Sequence, residues 1–351
     1  MTENRNIKID VLRIIGLIGV ILAHVSPPNF VMQMRTFDVP LMVIVSGIAY
    51  DISYKGSSLS SYYFHRLGRL LAPVWTFLVI YFFYFKIVDM FISGQTINFD
   101  IIIRSYILLN NGGIGYVWIV RVFILVAIGS PMIYFIHRKI ENSLIYFFFI
   151  VLLFLVYFRL VDIIAVNHFN KTLDLVVNEY VLYFIPYTLF FAIGLRLNQL
   201  SIKQLIILVI LTILMFVYVC LSENVMKFSN LSLFKYPPQE LWVIYGVMIS
   251  SFLFLILNNN MNLGNWNLKA ITFMSASSLW IYLWHIFLLK NWSYAISHVP
   301  SFANHYVAKL IIITSAASLI TFFQKRFCKY LLIKFKPNDF TYNLVTICFL
   351  K

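Results

Sequence analysis

Four runs in an otherwise apolar chain hold residues able to move protons or bind anions. In the first, Asp10 and Arg13 precede His24. Arg13 and His24 are 11 residues apart, close to three helical turns, so they share a helix face about 16 Å apart along the axis. Asp10 lies on that face one turn before Arg13. A histidine, with an ordinary pKa near 6.5, suits proton transfer at neutral pH. The bland reading is an Asp10–Arg13 pair at the headgroups and an interfacial His24. In the second run Arg66 and Arg69 stand one turn apart on one face. Two guanidinium forks so placed suit a phosphate, and they equally suit a positive anchor at a helix end. In the third, Ser278, Tyr282 and His285 share a face over two turns, as an acceptor or oxyanion group or as packed core. The fourth holds Trp118 and Arg121. Arg121 sits in an apolar stretch and calls for Asp10, Asp51 or a ligand anion as partner.

The elements that must position these residues follow from composition. The chain has 351 residues, of which 61% are hydrophobic and only 11% charged. A soluble domain carries about 25% charged residues, so the composition excludes a cytosolic enzyme, a disulfide scaffold and a disordered protein. It implies an all-α, polytopic membrane protein. Apolar runs near 7–27, 37–52, 70–90, 114–136, 144–162, 180–197, 204–222, 240–257, 271–290 and 306–325 predict about ten transmembrane helices. Asp10 and Arg13 interrupt the start of the first, which reads as a retained helix and not a cleaved signal. No soluble domain fits between the spans; the stretches 89–113, 163–179 and 223–239 read as loops. Residues 1–336 read as one integral-membrane domain and 337–351 as a short cytoplasmic tail.

The net charge of +14 does not imply nucleic acid, because the basic residues fall mainly in short segments between apolar runs. With the N-terminus inside, sixteen of the 27 lysines and arginines fall in inner segments and six in outer loops. That split predicts cytoplasmic N- and C-termini in the cytoplasmic membrane. Cys220, Cys328 and Cys348 have no paired spacing, so neither a disulfide framework nor a metal site is expected.

Taken together, these runs resemble the acyltransferase family 3 membrane proteins, which O-acylate, mostly O-acetylate, surface polysaccharides and other acceptors. Asp10 with Arg13-x10-His24 is similar to the family's first-helix motif. Phe37 to Gly47, ending Ser46-Gly47, is similar to its short second helix. Arg66-x-x-Arg69 followed by Pro73 is similar to its RxxR motif, and Ser278, Tyr282 and His285 to its late-helix serine–tyrosine–histidine pattern. The order fits, the ten expected spans match the family's core, and the resemblance covers nearly the whole chain. One departure is the stretch Trp118 to Arg121, where many members place a Glu after a Trp-Ser pair. This resembles the compact branch. With 26 residues after position 325, no C-terminal hydrolase-like domain is expected.

The resemblance implies an acyltransferase-3-like bundle with acetyl-CoA as donor on the inside, no metal, and a polysaccharide or glycolipid acceptor at or beyond the outer leaflet, such as capsule or exopolysaccharide. Arg66 and Arg69 would hold the CoA phosphates, and the pantetheine arm would bring the thioester to the outer half. His24 would be general base, with Asp10 and Arg13 positioning the helix or the donor. Ser278, Tyr282 and His285, with Trp118 and Arg121, would bind acceptor or stabilise the oxyanion. The rivals are a flippase or transporter, which often shows internal repeats, and a polymerase, which needs a large outer loop. Neither feature is visible.

Overall fold

Long apolar runs leave no water for the backbone to bond, so the chain closes its hydrogen bonds within helices. The computed structural model describes residues 6–54, 56, 58–92, 98–109, 112–166, 170–222, 228–258, 268–295 and 300–350. Arg5, Lys55, Lys227 and Lys351, which enter the orientation argument, lie outside the described residues. In chain order the helices begin with α1 (Ile7–Ala23), α2 (Asn29–Met34), α3 (Asp38–Ser53), α4 (Leu59–Ile92) and α5 (Phe99–Tyr106). They continue with α6 (Trp118–Lys139), α7 (Ser143–Val166), α8 (Lys171–Val176), α9 (Leu182–Leu197) and α10 (Ile202–Ser222). The last are α11 (Glu240–Asn258), α12 (Leu268–Ala276), α13 (Ser278–Ala295), α14 (Tyr306–Phe335) and α15 (Asp339–Val345). Among the described residues there is no strand.

Eight helical runs among the described residues are long and apolar enough to cross a membrane, nine if the broken pair α12–α13 is one span. The tenth expected from sequence is α1, which is one residue short of that length. Its 17 residues rise about 25 Å, at the short end of the range for a spanning helix. It ends four residues before the expected 27, because Ser26 takes φ 57° and Pro27–Pro28 follow. The second run starts earlier than expected. It spans Asn29–Ser53, with a tight turn over Arg35–Phe37 joining α2 to α3. The ninth expected span, read as continuous over 271–290, is broken at Ser277.

The chain divides into two compact units, Met1–Ser57 with Leu125–Ser275, and Ser58–Ile124 with Ala276–Lys351. In the first unit, α3 crosses α9 at Gly47 and Gly194. A Cβ on Gly47 would meet the carbonyl oxygen of Phe191, and one on Gly194 that of Ile44. Small residues let backbones touch where lipid gives no hydrophobic drive. Helix α1 packs on α3 through Gly16 and Gly19, where added Cβ atoms would lie 2.5 Å from Met42 Cγ and 3.0 Å from Asp38 Cβ. Its start is fixed by the Asn6 side chain, which accepts from the Lys8 N–H, and by Lys8 Nζ donating to Asn258 Oδ1 at 3.0 Å. In the second unit, α13 and α14 pack together, with Trp284 Nε1 donating to Gln324 Oε1 at 2.6 Å. The segment read as a tail is helical and docks on α13. Trp280 Nε1 donates to the Cys348 carbonyl at 3.1 Å, and the Trp280 and Phe349 rings stack with centroids 5.7 Å apart.

Candidate functional site

Asp10, Arg13 and His24 belong to the first unit. Asp10 is 2% exposed although it sits in the first turns of an apolar helix. Bare burial of a carboxylate is costly, so its partners decide its state. Ser275 Oγ donates to Asp10 Oδ1 at 2.6 Å, and Arg13 Nη1 stands 3.8 Å from the same oxygen. Arg13 is half-buried, its side chain 35% exposed. His24 is the residue that ends α1; its N–H reaches the Ile21 and Leu22 carbonyls. It therefore stands at the helix terminus, half-buried, where the sequence placed it within a longer span. Asp10 and His24 mark opposite ends of one helix. Ser275, 265 residues from its partner, was not anticipated; the serine singled out in sequence was Ser278.

Arg66, Arg69, Trp118, Arg121, Ser278, Tyr282 and His285 belong to the second unit. Arg66 is half-buried and Arg69 exposed, three residues apart in α4. One guanidinium is thus open to a solution ligand and the other stands one turn away. His285 is fully buried in α13, and its Nδ1 meets the Tyr282 carbonyl. A carbonyl only accepts, so Nδ1 carries the proton and Nε2 is the basic nitrogen of the neutral ring. The Tyr282 hydroxyl donates to the Tyr116 carbonyl, tying α13 to the turn before α6, where Gly115 takes φ 75°. The Tyr282 and His285 rings are 4.9 Å apart. Ser278 is half-buried at the start of α13, and Trp118 and Arg121, 6% and 2% exposed, occupy the first turn of α6. Of the carboxylates considered for Arg121, Asp10 bonds Ser275 and Asp51 accepts from Gln199 Nε2 at 3.3 Å.

Two further polar groups in the first unit escaped the sequence reading. Arg196 donates to the carbonyls of His137, Ile140 and Glu141 and lies 4.4 Å over the Tyr146 ring, so it closes the end of α6. Its neighbour His137 faces Asp51 at 3.8 Å. The other group is Arg35, Asp38 and Lys235. Arg35 Nη1 donates to Asp38 Oδ2 at 2.6 Å, and Asp38 Oδ1 accepts from the Val39 N–H at 2.8 Å. Lys235 is 4% exposed. Burial pulls its pKa down to about 8, against the pull of Asp38, with Arg35 lowering it further. A lysine in a polar loop gave no sequence signal of burial. Among the described residues, no group of three or more His, Cys, Asp or Glu could hold a metal ion.

The helical architecture, with its long apolar runs, defines a polytopic membrane protein. The family model for the acyltransferase domain, acyltransferase family 3, matches residues 6–323, and the chain belongs to that family. It is a membrane acyltransferase. No curated protein and no solved structure gives a significant match to the chain.

Proposed function

We propose that this membrane acyltransferase moves an acetyl group from cytoplasmic acetyl-CoA to a hydroxyl of a cell-surface or lipid-linked polysaccharide. The observation that carries the reading is the polar stripe of α1. Asp10, buried and held by Ser275 and Arg13, anchors one end, and His24 terminates the other. A helix that keeps a carboxylate in the apolar phase and a histidine at its far end is costly unless the stripe works.

Arg66 and Arg69 bind the phosphates of the donor; an exposed and a half-buried guanidinium one turn apart suit that ligand. His24 takes the proton of the acceptor hydroxyl, whose oxygen attacks the thioester carbon. The C–S bond breaks, and the CoA thiolate leaves with the proton from His24. Asp10 and Arg13 fix α1 and with it the register of His24. Ser278 and His285, with Trp118 and Arg121, contact the acceptor or the oxyanion. Tyr282 acts by holding the turn at Tyr116. The N- and C-termini are cytoplasmic in this scheme, and α1 ends toward the outer face.

The test is acetyl-CoA-dependent release of free CoA thiol by the full chain in native membranes, with labelled acetyl followed into the glycan. Wild type releases thiol and labels glycan; His24→Ala does neither while inserting normally. Labelled glycan in His24→Ala membranes would overturn the general-base role.

A further inference from the structure

Arg159 and Asp162 put two charges one turn apart inside the apolar run of α7. Arg159 lies sixteen residues beyond Ser143, about 24 Å along the helix axis. That depth is still within a hydrocarbon core of about 30 Å. The two side chains are 84% and 70% exposed and come no closer than 3.8 Å, too long for a hydrogen bond. Neither charge therefore satisfies the other. Charges at such depth are kept where they meet a polar, water-filled space in place of lipid tails.

A cavity supplies that space. It has a volume of about 320 Å³ and is walled by Phe158, Arg159, Asp162, Phe234, Gln239 and Glu240 among others, all within the first unit. Its rim is fixed by main chain: the Gln239 N–H donates to the Phe234 carbonyl at 2.8 Å, and the Val243 N–H to the Gln239 carbonyl at 3.0 Å, where α11 begins. The 228–235 segment that carries Phe234 is tied to α2. Gln33 Oε1 accepts from the Ser232 N–H at 2.7 Å, and Gln33 Nε2 donates to Ser232 Oγ at 3.1 Å. Helix α2 starts at Asn29, five residues after His24. One short helix thus links the cavity rim to the His24 end of α1.

The volume stands at the low end of the range for small-molecule sites, about 300–1,000 Å³. Carboxylates accept hydrogen bonds, a guanidinium donates them and an amide does both. A ring with several hydroxyls, each both donor and acceptor, matches that set, while the apolar side chains cover its C–H groups. The walls carry one arginine against two carboxylates, Asp162 and Glu240. An anionic occupant would meet an excess of like charge, and a neutral one would not.

We propose that this cavity is a sugar subsite, which holds a neutral unit of the acceptor glycan through Arg159, Asp162, Gln239 and Glu240. The inference rests on the transfer reading above for the word acceptor, and on the cavity alone for the sugar. The unit held there is bound and not acylated; it positions the chain whose hydroxyl reacts.

The experiment measures binding to the full chain in detergent. The probe is the oligosaccharide fraction released by mild acid from the envelope of cells lacking the gene, tagged with a fluorophore at the reducing end. A second sample of the same fraction is oxidised with periodate, which cleaves vicinal diols. The intact fraction binds at least tenfold more tightly than the oxidised one. Gln239→Leu and Asp162→Ala each weaken the intact fraction at least fivefold, and Arg159→Ala gives the reading if Asp162→Ala fails to accumulate. Equal binding of the two fractions, no binding of either, or binding unchanged in the variants overturns the proposal. Acetyl-CoA-dependent thiol release is measured on the same samples at increasing oligosaccharide. The variants raise the KM for oligosaccharide and leave kcat within twofold. Thiol release with an unchanged KM in the variants removes this inference alone. Variant-sensitive glycan binding without thiol release supports the sugar site and removes the transfer reading.

Discussion

Removing the charge of Lys235 should make the protein more stable at neutral pH, and the gain should vanish in alkali. The lysine is buried, and its pKa falls from 10.5 to about 8 on folding. Burial is the main cause, Asp38 opposes it, and Arg35 adds to it. Below pH 8 both folded and unfolded chains carry the proton, so the folded state bears the full cost of the buried charge. Between about 8 and 10.5 the folded chain gives up the proton while the unfolded chain keeps it. The unfolded state then binds more protons, and stability rises with pH. At about 1.36 kcal/mol per pH unit, the gap corresponds to about 3 kcal/mol. Lys235→Met lacks this term and keeps the neutral Arg35–Asp38 pair. It should exceed wild type by up to about 3 kcal/mol at pH 7, with the difference closing toward pH 10.5. Equilibrium unfolding of both proteins in one detergent from pH 7 to 11 measures it, and other titrating groups cancel in the difference. A difference that stays flat between pH 8 and 10.5 would refute the reasoning about the cluster.

Other perturbations have equally definite outcomes. Ser275→Ala leaves Asp10 without its 2.6 Å donor; a hydrogen bond to a charged group contributes about 1.5–3 kcal/mol, so the thermal midpoint in detergent falls and acetyl transfer falls with it. Gly194→Ala drives a Cβ into the Ile44 carbonyl at the α3–α9 crossing, and expression of folded protein, read by size exclusion, drops sharply. Arg66→Ala with Arg69→Ala raises the KM for acetyl-CoA at least tenfold with little change in kcat, measured by thiol release; an unchanged KM removes the phosphate role.

The helices were legible in the sequence because composition and run length alone demand them. Their breaks were less so. Pro27–Pro28 marks the end of the first helix, but α1 stops earlier, at Ala23, with Ser26 left-handed beyond it, and no residue type before the prolines announces that. The break at Ser277 falls inside an apolar run with no Pro or Gly to announce it. The residues of α1 could be placed on one face from spacing, since a helix has a fixed period. Contacts between distant segments have no such rule: Asp10 with Ser275, Asp38 beside Gly19, and Arg196 on the end of α6 bring together residues far apart in sequence. Lys235 looked like a loop cation, because neither its burial nor Asp38 is encoded locally.

The most direct measurement of the central claim is proton NMR of the envelope glycan from cells with the gene, without it, and with His24→Ala, before and after mild alkali. The account predicts an acetyl signal that alkali removes and that is present with the wild-type gene alone. An acetyl profile identical in all three strains, with glycan quantity or chain length changed instead, would contradict it.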